Sequence, residues 1–145
     1  LYKDFKQKGM PKYLYYVECN MGDFLYGEYE NKAYIECAKE IILVESEKAV
    51  MQLASYGIRN VLATSKKNIS KQQLLRLLRY GKPIVLAYDK DVTIEEVSLE
   101  LNKFKSLVDT SYIQDTDNLL DPKDSPSDKG HLVWERLYKN KIKMR

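Results

Sequence analysis

Three carboxylates carry most of the chemistry legible in this chain. Glu45 follows Ile41-Ile42-Leu43-Val44, a short β-branched run of the kind that forms a buried strand. Asp89 and Asp91 follow a second apolar run, Ile84 to Tyr88. Parallel strands gather acids from their carboxyl ends along one edge of the sheet. Three carboxylates there repel one another unless a cation lies between them. An oxygen-only donor set favours a hard ion, Mg²⁺ or Mn²⁺. The Asp-x-Asp spacing suits a chelate, because side chains two apart on an extended segment point the same way. A single acid at such a place can also just end a strand or cap a helix, as Asp91 would beside Val92-Thr93. The pairing with Glu45 is what turns the pattern into a site.

The elements that must position these acids follow from periodicity and caps. Glu47 to Tyr56 reads as a helix with Val50, Leu53 and Ala54 on one face and Gly57 at its end. Asn60 to Ala63 reads as a strand. Ser70 and Gln73 form a capping box ahead of a helix that carries Leu74, Leu77 and Leu78 and stops before Gly81. Thr93 and Glu96 form another, ahead of Ile94, Val97, Leu101 and Phe104. Val108 to Ile113 is a weaker strand, and Gln114 to Asp128, with Pro122 and Pro126, is a polar loop. Lys129 to Lys141 reads as a last helix, with Val133, Trp134, Leu137 and Tyr138 facing inward.

Strands alternating with single helices specify βαβ units, hence an α/β fold with a four-stranded parallel sheet flanked by helices. Ligands of such sheets bind at the carboxyl ends of the strands. Residues 1–40 break the alternation. Tyr13 to Val17 and Leu25 to Tyr29 read as strands and Glu30 to Lys39 as a short helix, which makes this part the trailing end of a preceding subdomain. Residues 41–145 form the domain that carries the acids.

Composition narrows the function classes. At 145 residues, 44% hydrophobic and 31% charged, the chain is an ordinary globular domain rather than a disordered or low-complexity one. It has no bilayer-length apolar run and no signal peptide, so a cytoplasmic protein is expected. It starts at Leu1, which reads as a segment of a longer protein. Cys19 and Cys37 match no metal or redox spacing, and His131 is the only histidine. That rules out a Cys/His zinc site, and no nucleophile stands in a recognisable setting beside His131. The net charge of +3 hides large blocks: residues 48–88 contain eight bases and no acid, whereas residues 89–128 carry a net −7. Such blocks mark either solvated helix faces or interaction surfaces.

Ile41 to Lys48, followed 44 residues after Glu45 by Asp89-Lys90-Asp91, resembles the TOPRIM domain, the catalytic fold of DnaG-type primases, topoisomerases and several nucleases. Leu25-Tyr26-Gly27 and Ala63-Thr64-Ser65 resemble the lead-in segment and second loop of the primase branch. Asp121-Pro122-Lys123-Asp124 resembles its third acidic motif, with one residue more than the usual Asp-Pro-Asp. The resemblance implies a Rossmann-like sheet with Glu45 as general acid/base or metal ligand, and Asp89 and Asp91 as metal ligands. Asp121 and Asp124 are candidates for the third motif and thus for further metal ligands, with Asp115 and Asp117 as rivals for the same role. It departs from the family at Ser46 and Lys66, where glycines are usual, and at Ala49, where primases usually carry an Asp.

The implied activity is metal-dependent nucleotidyl transfer that makes RNA primers on a single-stranded DNA template from nucleoside triphosphates. A replicative helicase would be a partner through a part outside this chain, and zinc would be confined to an N-terminal domain. Lys48, Lys66, Lys67 and Lys90 are the expected phosphate or nucleic-acid contacts, with Arg76, Arg79 and Lys82 further away. The alternatives are a TOPRIM-type nuclease or maturase and a non-catalytic nucleic-acid-binding module.

Overall fold

The computed structural model describes residues 19–144. After a 3₁₀ turn at Met21–Asp23, the elements run α1 (Glu28–Cys37), β1 (Ile41–Val44), α2 (Glu47–Ser55), β2 (Val61–Ala63), α3 (Lys71–Arg79) and β3 (Ile84–Ala87). They continue with α4 (Ile94–Asn102), β4 (Thr110–Tyr112), α5 (His131–Lys139) and β5 (Ile142–Lys143). The sheet order is β2-β1-β3-β4-β5. The first four strands are parallel, and β5 pairs antiparallel with β4.

Strand alternation sorts the core into two layers. Ile41, Leu43, Ile84 and Leu86 face one way, against Ile35 of α1, Leu77 of α3 and Leu101 of α4. Ile42, Val44, Val85 and Ala87 face the other, against Leu53 of α2 and Trp134 and Leu137 of α5. Both faces of the central strands are therefore covered, as their continuous apolar runs require. Each fully buried Leu or Ile contributes about 1.5–3 kcal/mol.

The expected helices and capping boxes form. Ser70 accepts from the Gln73 N–H while Gln73 accepts from the Ser70 N–H, and Thr93 and Glu96 do the same. Three expectations are corrected. The sheet has a fifth, antiparallel strand, because the chain after α5 turns back along the free side of β4. Leu25 to Tyr29 is not a strand: Tyr26 makes one antiparallel bridge to Ala63, and Gly27 then turns the chain into α1. Gly27 has φ of +86°, which strains any other residue, and a Cβ there would press on Val50 Cγ1 at 3.2 Å, so the turn favours glycine. Finally, β4 is confined to Thr110–Tyr112, and α5 is shorter than read because Gly130 at φ of +92° starts it at His131. The strand expected at Tyr13 to Val17 lies outside the described residues.

Candidate active site at the sheet edge

The order β2-β1-β3 makes β1 and β3 the pair at which connections leave in opposite directions, the switch point where α/β sheets bind ligands. Val44 is in register with Ala87. Glu45 thus leaves β1 beside Tyr88, and Asp89 follows one residue later. Ser46 caps α2 by accepting from the Ala49 N–H at 3.3 Å. Its φ of −110° is extended backbone that any residue adopts, so the departure from glycine costs no strain here. Ala49 is buried in the α2 packing face.

The electrostatics agree with a cluster of acids. Burial first, and then Asp89, push the Glu45 carboxyl above its ordinary pKa, with Asp91 adding to the shift and Lys67 opposing it. Burial, Asp91 and Asp128 push Asp89 up in the same way, against Lys48 and Lys67. Glu45 Oε2 is buried with no hydrogen-bond partner among the described residues. An unpaired buried carboxylate oxygen is costly unless something outside the chain completes it. Among the described residues, no three acidic, His or Cys side chains stand close enough to hold an ion as placed. Like charge keeps bare carboxylates apart, and a divalent cation is what draws them together. The donor set, carboxylate oxygens with one orphaned, fits Mg²⁺ or Mn²⁺.

The structure does not bring all the expected residues to this edge. Lys90 Nζ turns away to Asp115 at 3.0 Å, Asn118 Oδ1 at 2.5 Å and the Leu120 carbonyl at 2.6 Å. Burial opposes ionised Asp115, but the N–H groups of Leu119 and Leu120, together with Lys90, overcome it and hold its pKa below the ordinary value. Asp121 is exposed and pairs with Lys129, which also reaches Asp124 at 3.3 Å. Asp124 accepts from the Asp121 N–H, and its carbonyl accepts from the Lys90 N–H at 2.9 Å. That last bond ties the loop before α5 to the segment carrying Asp89 and Asp91. Asp117 pairs with Arg136. Arg76 and Lys82 hold α1 and its flanks, through Asp23, Glu28, Glu36 and Ala38.

Two features escaped the sequence reading. Asp128 lies within electrostatic reach of Asp89 and binds Lys48 Nζ at 2.7 Å, Gln52 Nε2 at 2.9 Å and the Ser125 N–H at 2.9 Å. Its only local signal is its place two residues before Gly130, at the entry to α5. The second is a clasp on the loop after β2. The buried Glu100 accepts from the Ile69 N–H and from Lys103 Nζ, both at 2.7 Å, and Lys103 donates to the Ile69 carbonyl at 2.8 Å. At the loop's other end Thr64 donates to the Lys66 carbonyl at 2.6 Å, and Gln73 Nε2 donates to the Thr64 carbonyl at 3.0 Å. Ser65 takes the left-handed turn (φ of 59°), and Lys66 does not. Between these anchors Lys66 and Lys67 are exposed, with Lys67 acting electrostatically on both Glu45 and Asp89.

Glu100→Ala leaves the buried Ile69 N–H without its acceptor and Lys103 with only the Ile69 carbonyl, so a loss of about 1–3 kcal/mol is expected. Urea unfolding measures the loss. Amide exchange at Ile69 should quicken more than exchange in β1, and Glu100→Gln, which keeps an acceptor, should recover part of both effects.

Acids thus follow both central strands at the switch point of an α/β module, the edge at which such sheets bind ligands. Residues 40–114, just over half of the chain, match the Toprim domain, and the chain belongs to that family. Over 140 residues it is 33% identical to an uncharacterized SPbeta prophage-derived protein of Bacillus subtilis, covering 83% of this chain and 37% of that protein. Over 84 residues it is 37% identical to the DNA primase of Pseudomonas putida, covering 56% of this chain and 13% of the primase. The Aquifex aeolicus primase structure, comprising zinc-binding and RNA polymerase domains, aligns with a TM-score of 0.75 and 25% identity over 92% of this chain and 34% of that one. The chain spans well under half the length of these relatives.

Proposed function

We propose that the acidic edge is the nucleotidyl-transfer centre of a DNA primase, joining ribonucleotides into short RNA primers on a single-stranded DNA template. The observation that carries this reading is the register of β1 and β3, which brings Glu45 beside Tyr88 and so one residue from Asp89, together with Glu45 Oε2 being buried without a partner among the described residues. A bound Mg²⁺ or Mn²⁺ would supply positive charge toward the triphosphate and pyrophosphate. Asp89 and Asp91 would hold that ion, and Glu45 would share it or take the proton of the attacking hydroxyl. Asp124 and Asp121 act one step away, through the loop that Asp124 ties to Lys90. Lys66 and Lys67 on the clasped loop meet phosphate or template, a contact that neutralises charge without reading sequence and weakens as salt rises.

The primase relatives in sequence and structure support this assignment. In it, residues 41–145 are the catalytic domain and residues 1–40 the end of the subdomain before it. A helicase and a zinc-binding domain belong to the rest of a longer cytoplasmic protein. Among the described residues no helix is long and apolar enough to cross a membrane.

The test is Asp89→Asn in the full-length protein, assayed for ribonucleotide incorporation on single-stranded DNA. Loss of synthesis with retained folding is expected. Wild-type synthesis in the variant overturns the assignment, as does a wild-type protein that cuts DNA with these metals and incorporates nothing.

A further inference from the structure

Thr64 is fully buried where β2 ends, and its hydroxyl meets three groups. The Lys66 carbonyl lies 2.6 Å away, the Tyr88 hydroxyl 3.2 Å and the Val44 carbonyl 3.4 Å. A threonine hydroxyl has one proton to give and two lone pairs to offer. The Val44 carbonyl already accepts from the Thr64 N–H at 3.1 Å. The hydroxyl proton therefore goes to the short contact with Lys66, which leaves Tyr88 as the donor to Thr64. Burial raises the Tyr88 pKa well above the usual phenol range, so that donor keeps its proton at neutral pH. A directed chain thus runs from the Tyr88 O–H through the Thr64 O–H to the Lys66 carbonyl. It starts on the residue next to Asp89 and ends on the basic loop.

The last bond of the chain closes across Ser65. At φ of 59° Ser65 is in the left-handed region, which a residue with a side chain adopts at a cost. Thr64 holds that turn from its hydroxyl, and Gln73 Nε2 holds it from the Thr64 carbonyl. Lys66 and Lys67 leave the turn exposed. Their long side chains find a ligand at lower entropic cost when the backbone beneath them is already fixed.

We propose that Thr64 is a positioning residue, whose hydroxyl, backed by Tyr88, holds the turn after β2 so that Lys66 and Lys67 meet phosphate from a fixed backbone. The proposal rests on the reading of this loop as a phosphate contact. It adds that the grip of the loop depends on a buried hydroxyl that touches no ligand. Through Tyr88 the same hydroxyl ties the loop to the strand end that carries Asp89.

The test is the binding of a fluorescein-labelled single-stranded oligothymidine to the full-length protein, followed by anisotropy over a range of salt. The proteins compared are wild type, Lys66→Ala/Lys67→Ala, Thr64→Val and Thr64→Ser. Each phosphate contact to a single strand contributes about 0.7 to the slope of log affinity against log salt, so the double lysine variant should lose up to about 1.4. Thr64→Val should lose about half of that or more, and Thr64→Ser, which keeps the hydroxyl, should retain the wild-type slope. Thr64→Val placed in the double lysine variant should cause no further loss, because it acts only through those lysines. A wild-type slope in Thr64→Val, an equal loss in Thr64→Ser, or a further loss in the lysine background overturns the proposal and leaves the loop reading standing. A wild-type slope in the double lysine variant overturns the loop reading and this proposal with it. Thr64→Val leaves the buried Tyr88 hydroxyl without its acceptor. If circular dichroism shows that it fails to fold, Thr64→Val/Tyr88→Phe removes both ends of that bond and should show the same loss of slope.

Discussion

Glu45→Gln in the full-length protein is expected to lower primer synthesis by about 10²–10⁴-fold, the range for losing a positioned acid or base. The substitution keeps size and one carbonyl oxygen and removes the charge. It leaves the β1 register, the Ser46 cap and the α2 packing face untouched, so the loss would report on the carboxylate itself. Synthesis at the wild-type level would exclude Glu45 from the chemistry. The same variant should behave oppositely in stability. Burial and Asp89 raise the Glu45 pKa above its ordinary 4.5 in the fold. A raised carboxyl contributes stability that is fully present below its unfolded pKa and is lost as pH rises through the folded value. In chelator at pH 7 the ionised wild-type group therefore burdens the fold, and Glu45→Gln should unfold at a higher urea concentration than wild type. The gap should close as pH falls toward 4.5. Mn²⁺ should stabilise wild type more than the variant, because an ion bound only to the native state adds its binding free energy. Equal midpoints at both pH values, with and without metal, would show that Glu45 is not a strained acid.

Trp134→Ala should produce the largest loss of stability, about 3–5 kcal/mol. Trp134 is 1% exposed, the largest of the fully buried side chains, and stacks on Tyr138 with ring centroids 5.5 Å apart. It fills the layer between α5 and the face of the sheet that carries Val44 and Ala87. A typical domain has about 5–15 kcal/mol in total, so the variant would be marginal. Urea unfolding should give a much lower midpoint with an unchanged slope. A loss under about 1 kcal/mol would mean that the α5 layer repacks around the gap. Because the loop entering α5 anchors Lys90 through Asp124, metal affinity should fall as well.

The central strands and their helices were legible because their signals are local: short apolar runs, two capping boxes, and the glycines Gly57 and Gly81 after α2 and α3. Glu45, Asp89 and Asp91 were legible because a parallel sheet fixes where strand ends meet. The rest depends on contacts distant in sequence. Lys90 stands between two acids, but its side chain is taken by Asp115, Asn118 and Leu120, some 25–30 residues on. Asp128 has four aspartates before it in the same polar stretch, and only its place before Gly130 sets it apart locally; the return of the chain across α2 is what brings it to Lys48 and Gln52. Glu100 reads as an ordinary charge on a helix, yet it is buried against a loop more than thirty residues earlier. The two-residue β5 is too short to show any period.

That short strand has a counterpart on the other side of the molecule. Ile142 and Lys143 cover the free side of β4, and Met144 continues the pairing by donating to the Thr110 carbonyl. On the opposite flank Tyr26 exchanges two backbone hydrogen bonds with Ala63 of β2. Open strand borders recruit further strands and drive aggregation. Among the described residues, a two-residue strand covers one border and a single bridge from the lead-in segment covers part of the other. Short, partly covered borders of this kind offer little length for pairing with a neighbouring sheet or with a copy of the domain.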